Sequence, residues 1–314
     1  MNDWYLSNIV LVQSTFTTLL LALSVQIPMR MGVFSFAGIG AYGIGGYVAA
    51  MCMVHREWTT VPAIVAGTLA AGIATFLLGL VVQRLTGLYM GMATIAFTLI
   101  VAVLAVNGGE WTGGASGLFG ALGDITTGLI IGCAAVVVVL LQFTEMGGLG
   151  RRIDTVREDP ELANAMGINV ARYRRLSFLA SGLVGGLAGA LVTLLRSTIT
   201  PDLVNFHLVV LALTVIVVGG SGSWIGALIG SLIFVWLPTW LVFIGEWEEI
   251  VYGVIVALAA IFLPSGVLGV AKNLWHRFRT RDERARLKAG GGTPAGETGE
   301  TGGRGLVPSV EGEA

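Results

Sequence analysis

The sequence predicts an all-α, polytopic membrane protein with about nine transmembrane helices, in the range eight to ten. Three observations carry this. Of 314 residues, 55% are hydrophobic and 12% are charged, roughly half the charge of an ordinary soluble domain, and the mean hydropathy is +0.83. The apolar residues gather in stretches of about 20, the length that crosses a hydrocarbon core as a helix. The 46 glycines lie mostly inside Leu-, Val- and Ala-rich runs, where small residues let membrane helices approach one another closely. A collagen-like or generally disordered chain fits none of this.

In chain order, the predicted spans run over 7–28, 32–54, 61–82, 87–106, 125–143, 176–195, 205–219, 224–244 and 249–263. The residues before the first span lack a basic region and a small-residue cleavage site, so that stretch reads as a retained span, not a leader. The second is interrupted by Gly38, Gly40, Gly43, Gly45 and Gly46, and the seventh is short; both are candidates for discontinuous or re-entrant segments. Cys52 and Cys133 sit in apolar runs and read as small buried hydrophobes. The spans and their connections form a membrane domain over 1–288, and 289–314, with its GETGE and TGG strings, has the composition of a disordered cytoplasmic tail.

Orientation follows from where Lys and Arg fall. With nine spans and the N-terminus outside, the inner connections hold Arg30, Arg84, Arg151, Arg152, Arg157, Arg172, Arg174 and Arg175, and the C-terminal tail holds eight more, leaving Arg56 and Arg196 of the 18 basic residues outside. The outer side collects acids, among them Glu57, Glu110, Asp124 and Asp202.

The long hydrophilic loop over 150–175 is the distinctive inner feature. Asp159-Pro160-Glu161 reads as N-cap, first helical residue and acidic first turn, and Gly167 as the stop, so a two-turn helix is expected over 160–166. Leu162, Ala165 and Met166 share one face. Such a helix, flanked by Arg157, Glu158, Arg172 and Arg174, suits docking into a partner's groove. The plainer alternative is that the loop packs on the bundle, with its arginines at the lipid surface.

At these residues the chain resembles the permease subunits of ABC importers. Arg157-Glu158-Asp159, Ala163, Ala165-Met166-Gly167-Ile168-Asn169 and Tyr173 are similar to the branched-chain amino-acid permease family, and Glu161, Ala163 and Gly167 fit the EAA-x3-G spacing with Leu162 replacing the middle Ala. GIGAY at 38–42, Gly87-Leu88-Tyr89, TGGASGL at 112–118, Pro201-Asp202 and the glycines from 219 to 226 agree, so the resemblance spans roughly 20–270. Two positions depart. Gly32-Val33 stands where the family has a polar partner after the glycine, in a helix expected beside the substrate path, and Gly226-Ala227 stands where Gly-Pro is usual. The resemblance implies a multi-pass subunit in the inner membrane. Its partners would be a second, similar permease, two cytoplasmic ATPases, an extracytoplasmic solute-binding protein, the lipid bilayer and an amino-acid substrate, with no nucleic acid. The coupling residues it implies are Arg157, Glu158, Asp159, Glu161, Leu162, Ala163, Met166 and Gly167.

No G-x-x-x-x-G-K-[ST] phosphate cradle occurs, so ATP would be bound by partner subunits, and no cofactor or metal is expected in this chain. An ion-coupled carrier is the alternative, but the spans lack a mid-membrane carboxylate or cation to couple an ion gradient. A remoter reading is an intramembrane serine protease, from G-x-S-G strings at 114–117 and 219–222 with His207 or His276 as base. No catalytic residue is assigned.

A zwitterionic solute is best handled by hydroxyls and unwound backbone, which offer dipoles without trapping charge. The candidates for a substrate path are Tyr42, Tyr89, Thr94, Thr112, Gly113, Gly114 and Ser116. The Thr112 to Gly117 loop is favoured, because its glycines leave amides available to a carboxylate.

Overall fold

The computed structural model describes residues 8–241 together with Val251, Gly253, Val254, Gly266 and Gly269. The ninth expected span, 249–263, and the expected tail at 289–314 lie outside the described residues. Those that are described fall within one unit, Met1–Ala271, and contain eight segments long and apolar enough to cross a membrane. The helices are α1 (Ile9–Arg30), α2 (Ala37–Arg56), α3 (Thr60–Val82), α4 (Gly87–Asn107), α5 (Thr127–Glu145), α6 (Gly147–Glu158), α7 (Pro160–Ala165), α8 (Val170–Arg196), α9 (Phe206–Gly219) and α10 (Trp224–Leu241). Two-residue strands β1 (Leu118–Phe119) and β2 (Thr198–Ile199) pair antiparallel, Leu118 opposite Ile199, a clasp between connections in an otherwise all-α fold.

Burial separates centre from periphery. In the spanning windows of α8, α2 and α1, 72%, 67% and 61% of residues are buried, against 22% for α5. The centre is made by glycine. Where α2 crosses α8, a Cβ on Gly45 would meet the backbone of Gly186, and one on Gly189 would lie on the carbonyl of Tyr42. The five glycines that made α2 a candidate for discontinuity therefore sit in an unbroken helix, because backbone-to-backbone packing replaces the side-chain contacts they lack. The peripheral helices turn apolar residues outward, as Val61, Val65, Leu69, Ile73, Leu77 and Val81 do along α3, the pattern of a lipid-facing stripe.

Two sets of contacts define the ends of the bundle. At one, Arg30 pairs with Glu145 at 2.9 Å, and Gly32 (φ +71) turns the chain against the backbone of Arg157. At the other, the rings of His55 and Trp111 stack at 5.1 Å, and the hydroxyl of Thr60 accepts from the N–H of Asp124 at 3.1 Å. The first end carries Arg30, Arg84, Arg151, Arg152, Arg157, Arg172, Arg174 and Arg175, and the second Arg56 and Arg196. α9 is no re-entrant segment: it starts at the β2 end, after a 3-10 turn at Pro201–Leu203. It finishes beside Gln26, whose amide donates to the carbonyls of Ser221 and Ser223 just beyond it.

The structure corrects three expectations. Gly32-Val33 belongs to the connection between α1 and α2, not to a helix beside a path. The sixth span begins at Val170, not at 176, because Asn169 caps it and Val170 is buried, which extends the helix through Arg172, Arg174 and Arg175. The loop also holds a further helix, α6, whose Ile153 and Val156 are buried one turn apart.

Candidate functional site

The 159–167 segment is built by local chemistry. Asp159 is extended (φ -145, ψ 96), and its Oδ1 accepts from the N–H groups of Glu161 at 3.0 Å and Leu162 at 2.9 Å, with Pro160 opening the helix. At the other end Gly167 takes φ +80. Its N–H donates to Asn164 O at 3.0 Å and that of Ile168 to Ala163 O at 2.9 Å, the paired bonds of a Schellman stop. The helix expected over 160–166 thus runs from Pro160 to Ala165, closed at both ends.

Two turns have little stability alone, so what lies beneath α7 decides whether it is rigid. Ala163 is fully buried and packs with Val156 of α6 and Val170 of α8, with Ile168 and Tyr173 around them. Since α6 is also tied to the α1–α2 connection through Arg157 and Gly32, the miniature core links α7 to the spans. The opposite face stays open: Leu162 is 53% and Met166 67% exposed, with Glu161 exposed beside them and Arg157, Glu158 and Asp159 exposed just before the helix. The helix thus turns two apolar side chains outward from a braced base, inside a polar rim.

The proposed path residues do not converge. Thr94 is fully buried, and its hydroxyl accepts from Phe36 N at 3.0 Å while donating to the carbonyls of Met90 or Gly91, so it fastens α4 to the start of α2. Tyr42 is buried on α2, and Tyr89 is 73% exposed in the first turn of α4. Thr112, Gly113, Gly114 and Ser116 lie past the opposite end of α4, in a loop of two 3-10 turns. There Gly117 abuts the backbone of Ile199 and Thr200, its N–H donates to Gly114 O, and the N–H of Gly114 reaches Thr112 Oγ1 at 3.4 Å. Part of the amide array is therefore spent on the loop itself. Ser116 remains exposed, and no hydrogen bond joins it to His207 among the described residues.

Residues outside the predicted site complete both ends. The turn at Pro201–Leu203 packs on α4 and on the 114–116 turn, and a concavity of about 250 Å3 there sets Asn107, Asp202 and Asn205 beside Val103, Val106 and Val204. At the arginine-rich end, Glu145 joins Arg30, and the indole N–H of Trp224 donates to Gln142. No local signal announces these partnerships, since each joins residues far apart in the chain.

A model of the family described as branched-chain amino acid transport system / permease component matches residues 6–260. The chain is 25% identical over 296 residues to LivM of Escherichia coli (strain K12), described as a high-affinity branched-chain amino acid transport system permease protein, covering 82% of this chain and 69% of that one. It is similar also to the permease proteins LivH of Salmonella typhimurium, 29% identical over 180 residues (54% of this chain, 56% of that one), and BraD of Pseudomonas aeruginosa, 27% over 153 residues (45% and 50%). No solved structure matches the chain.

Proposed function

The chain belongs to the branched-chain amino acid transport system permease family, and on that premise we propose that it is one of two permease subunits of an ABC importer for branched-chain or related amino acids in the inner membrane. Two ATPases on the cytoplasmic side drive it through α7. The arginine-rich end faces the cytoplasm, as unequal sorting of Arg favours, and the 108–126 and 197–205 connections face outward, toward a solute-binding protein that delivers the amino acid. The solute crosses against the second permease, because α1, α2 and α8 meet through glycine contacts too close to leave it a passage between them.

One observation carries the reading: a helix capped at both ends, braced on the spans by Ala163, Val156 and Val170, presents Leu162 and Met166 outward at the arginine-rich end. A rigid lever of this kind transmits a partner's motion, and a floppy loop does not. The test is uptake of labelled leucine into proteoliposomes holding the chain with its partner subunits. ATP trapped inside should energise uptake, and an ionophore should leave it unchanged. Uptake without ATP that collapses with the ionophore would instead identify an ion-coupled carrier.

A further inference from the structure

Between the end of α3 and the turn joining α7 to α8 lies a concavity of about 480 Å3, lined in part by Gln83, Asn164, Asn169, Val170, Ala171 and Arg174. It gathers donors that lack acceptors. Nε of Arg174 is buried without a hydrogen-bond partner, a condition that folded proteins rarely leave unanswered. The N–H groups of Val170 and Ala171 fall in the first turn of α8, where no intrahelical acceptor exists, and the Asn169 cap serves only the N–H of Arg172, at 2.9 Å. The positive end of the 27-residue α8 dipole points the same way. No carboxylate pairs with Arg174 among the described residues.

Along the bundle the concavity lies within a turn of exposed apolar side chains on the outer faces of the same elements, Val81 of α3 at 78% and Leu176 of α8 at 49%, with Leu88 of α4 at 71%. The concavity thus sits where the outward apolar residues of α3 and α8 give way to arginines, at the depth of lipid headgroups. An anion at that depth is supplied by a lipid headgroup.

We propose that this concavity binds the headgroup of one anionic phospholipid, whose phosphodiester oxygens accept from Arg174 and from the N–H groups of Val170 and Ala171 while its acyl chains stay in the surrounding leaflet. Arginine and free helix-start amides are the donors such an anion selects. The site rests on the membrane reading of the chain and on nothing about amino-acid transport. Because Asn164 lines it as well, a bound lipid would hold α7 against the leaflet.

The test is native mass spectrometry of the full chain released from detergent micelles, titrated with phosphatidylglycerol and with phosphatidylcholine of the same acyl chains. Phosphatidylglycerol should be retained about tenfold better. Arg174→Gln should lose that preference and Arg174→Lys should keep most of it, which separates lost recognition from lost fold. Gln83→Trp, which fills the concavity without changing charge, should lose it too, and Arg151→Gln, exposed on α6, should not. Equal retention of the two lipids by the unaltered chain would overturn the proposal. So would equal losses in Arg151→Gln and Arg174→Gln, the mark of diffuse charge, or displacement of the lipid by millimolar inorganic phosphate, the mark of a free-anion site.

Discussion

Gly167 shows how much one residue decides at the arginine-rich end. Its φ of +80 is set by the stop of α7, and a Cβ there would meet nothing within 4 Å, so a substitution is penalised by backbone conformation alone. That penalty is about 1–2 kcal/mol for an ordinary residue and more for a β-branched one. In Gly167→Val that strain is released by unwinding the two-turn α7 and not by unfolding the spans, so membrane insertion and thermal unfolding of the spans should stay near those of the parent while ATP-driven uptake falls at least fivefold, measured side by side in proteoliposomes. Thr94 should behave oppositely. Thr94→Val strands the N–H of Phe36, now bonded at 3.0 Å, at a cost of about 1–3 kcal/mol, so thermal unfolding in detergent should shift downward, and a Tm equal to the parent's would remove its fastening role. The Asp159 cap and the Gly167 stop were legible in the sequence because both are written within a few residues. The roles of Thr94 and of the Arg30–Glu145 pair were not, because their partners lie 58 and 115 residues away.

Among the elements, α8 is the pivot, packed on α1, α2 and α3 and continuous with the α7 turn. Its start was misplaced by six residues, because hydropathy falls where Arg172, Arg174 and Arg175 begin, whereas the helix is set by the Asn169 cap and by the buried Val170. α6 escaped for a similar reason: with Gly147, Gly148 and Gly150 at its start and only Ile153 and Val156 as apolar anchors, its stripe is thin. The glycine run of α2 suggested a break only because its partner, the glycine run of α8, cannot be seen from α2 alone. Gly189→Leu should therefore prevent folding, since the added side chain would fall on the backbone of Tyr42 and overpacking there costs about 3 kcal/mol or more. Gly132→Leu, with nothing within 4 Å, should be tolerated. Size-exclusion profiles of tagged variants read both outcomes, and a monodisperse Gly189→Leu peak would contradict the crossing.

For the whole molecule, the eight spans among the described residues and the two-ended grouping of their connections follow from composition and from the arginine count, both legible without coordinates. What the sequence could not supply is which hydroxyls share a cavity: Thr112, Gly113, Gly114 and Ser116 lie in one loop, whereas Tyr42 is on α2 and Tyr89 and Thr94 are near the other end of α4. Orientation can be read directly. With Cys52 and Cys133 replaced, a membrane-impermeant maleimide should label Ser116→Cys in intact cells and Leu162→Cys only after permeabilisation; the reverse pattern would invert the topology. The claim on which the account turns is that α7 carries the work of ATP hydrolysis into the spans through Leu162 and Met166. Its most direct measurement is leucine uptake together with ATP hydrolysis in proteoliposomes holding the full complex, comparing the parent with the double variant Leu162→Asp and Met166→Asp, which leaves the buried Ala163 bracing untouched. Uptake should fall at least tenfold and solute-stimulated hydrolysis should vanish while the chain stays folded in the bilayer; parental uptake and stimulation in that variant would contradict the account.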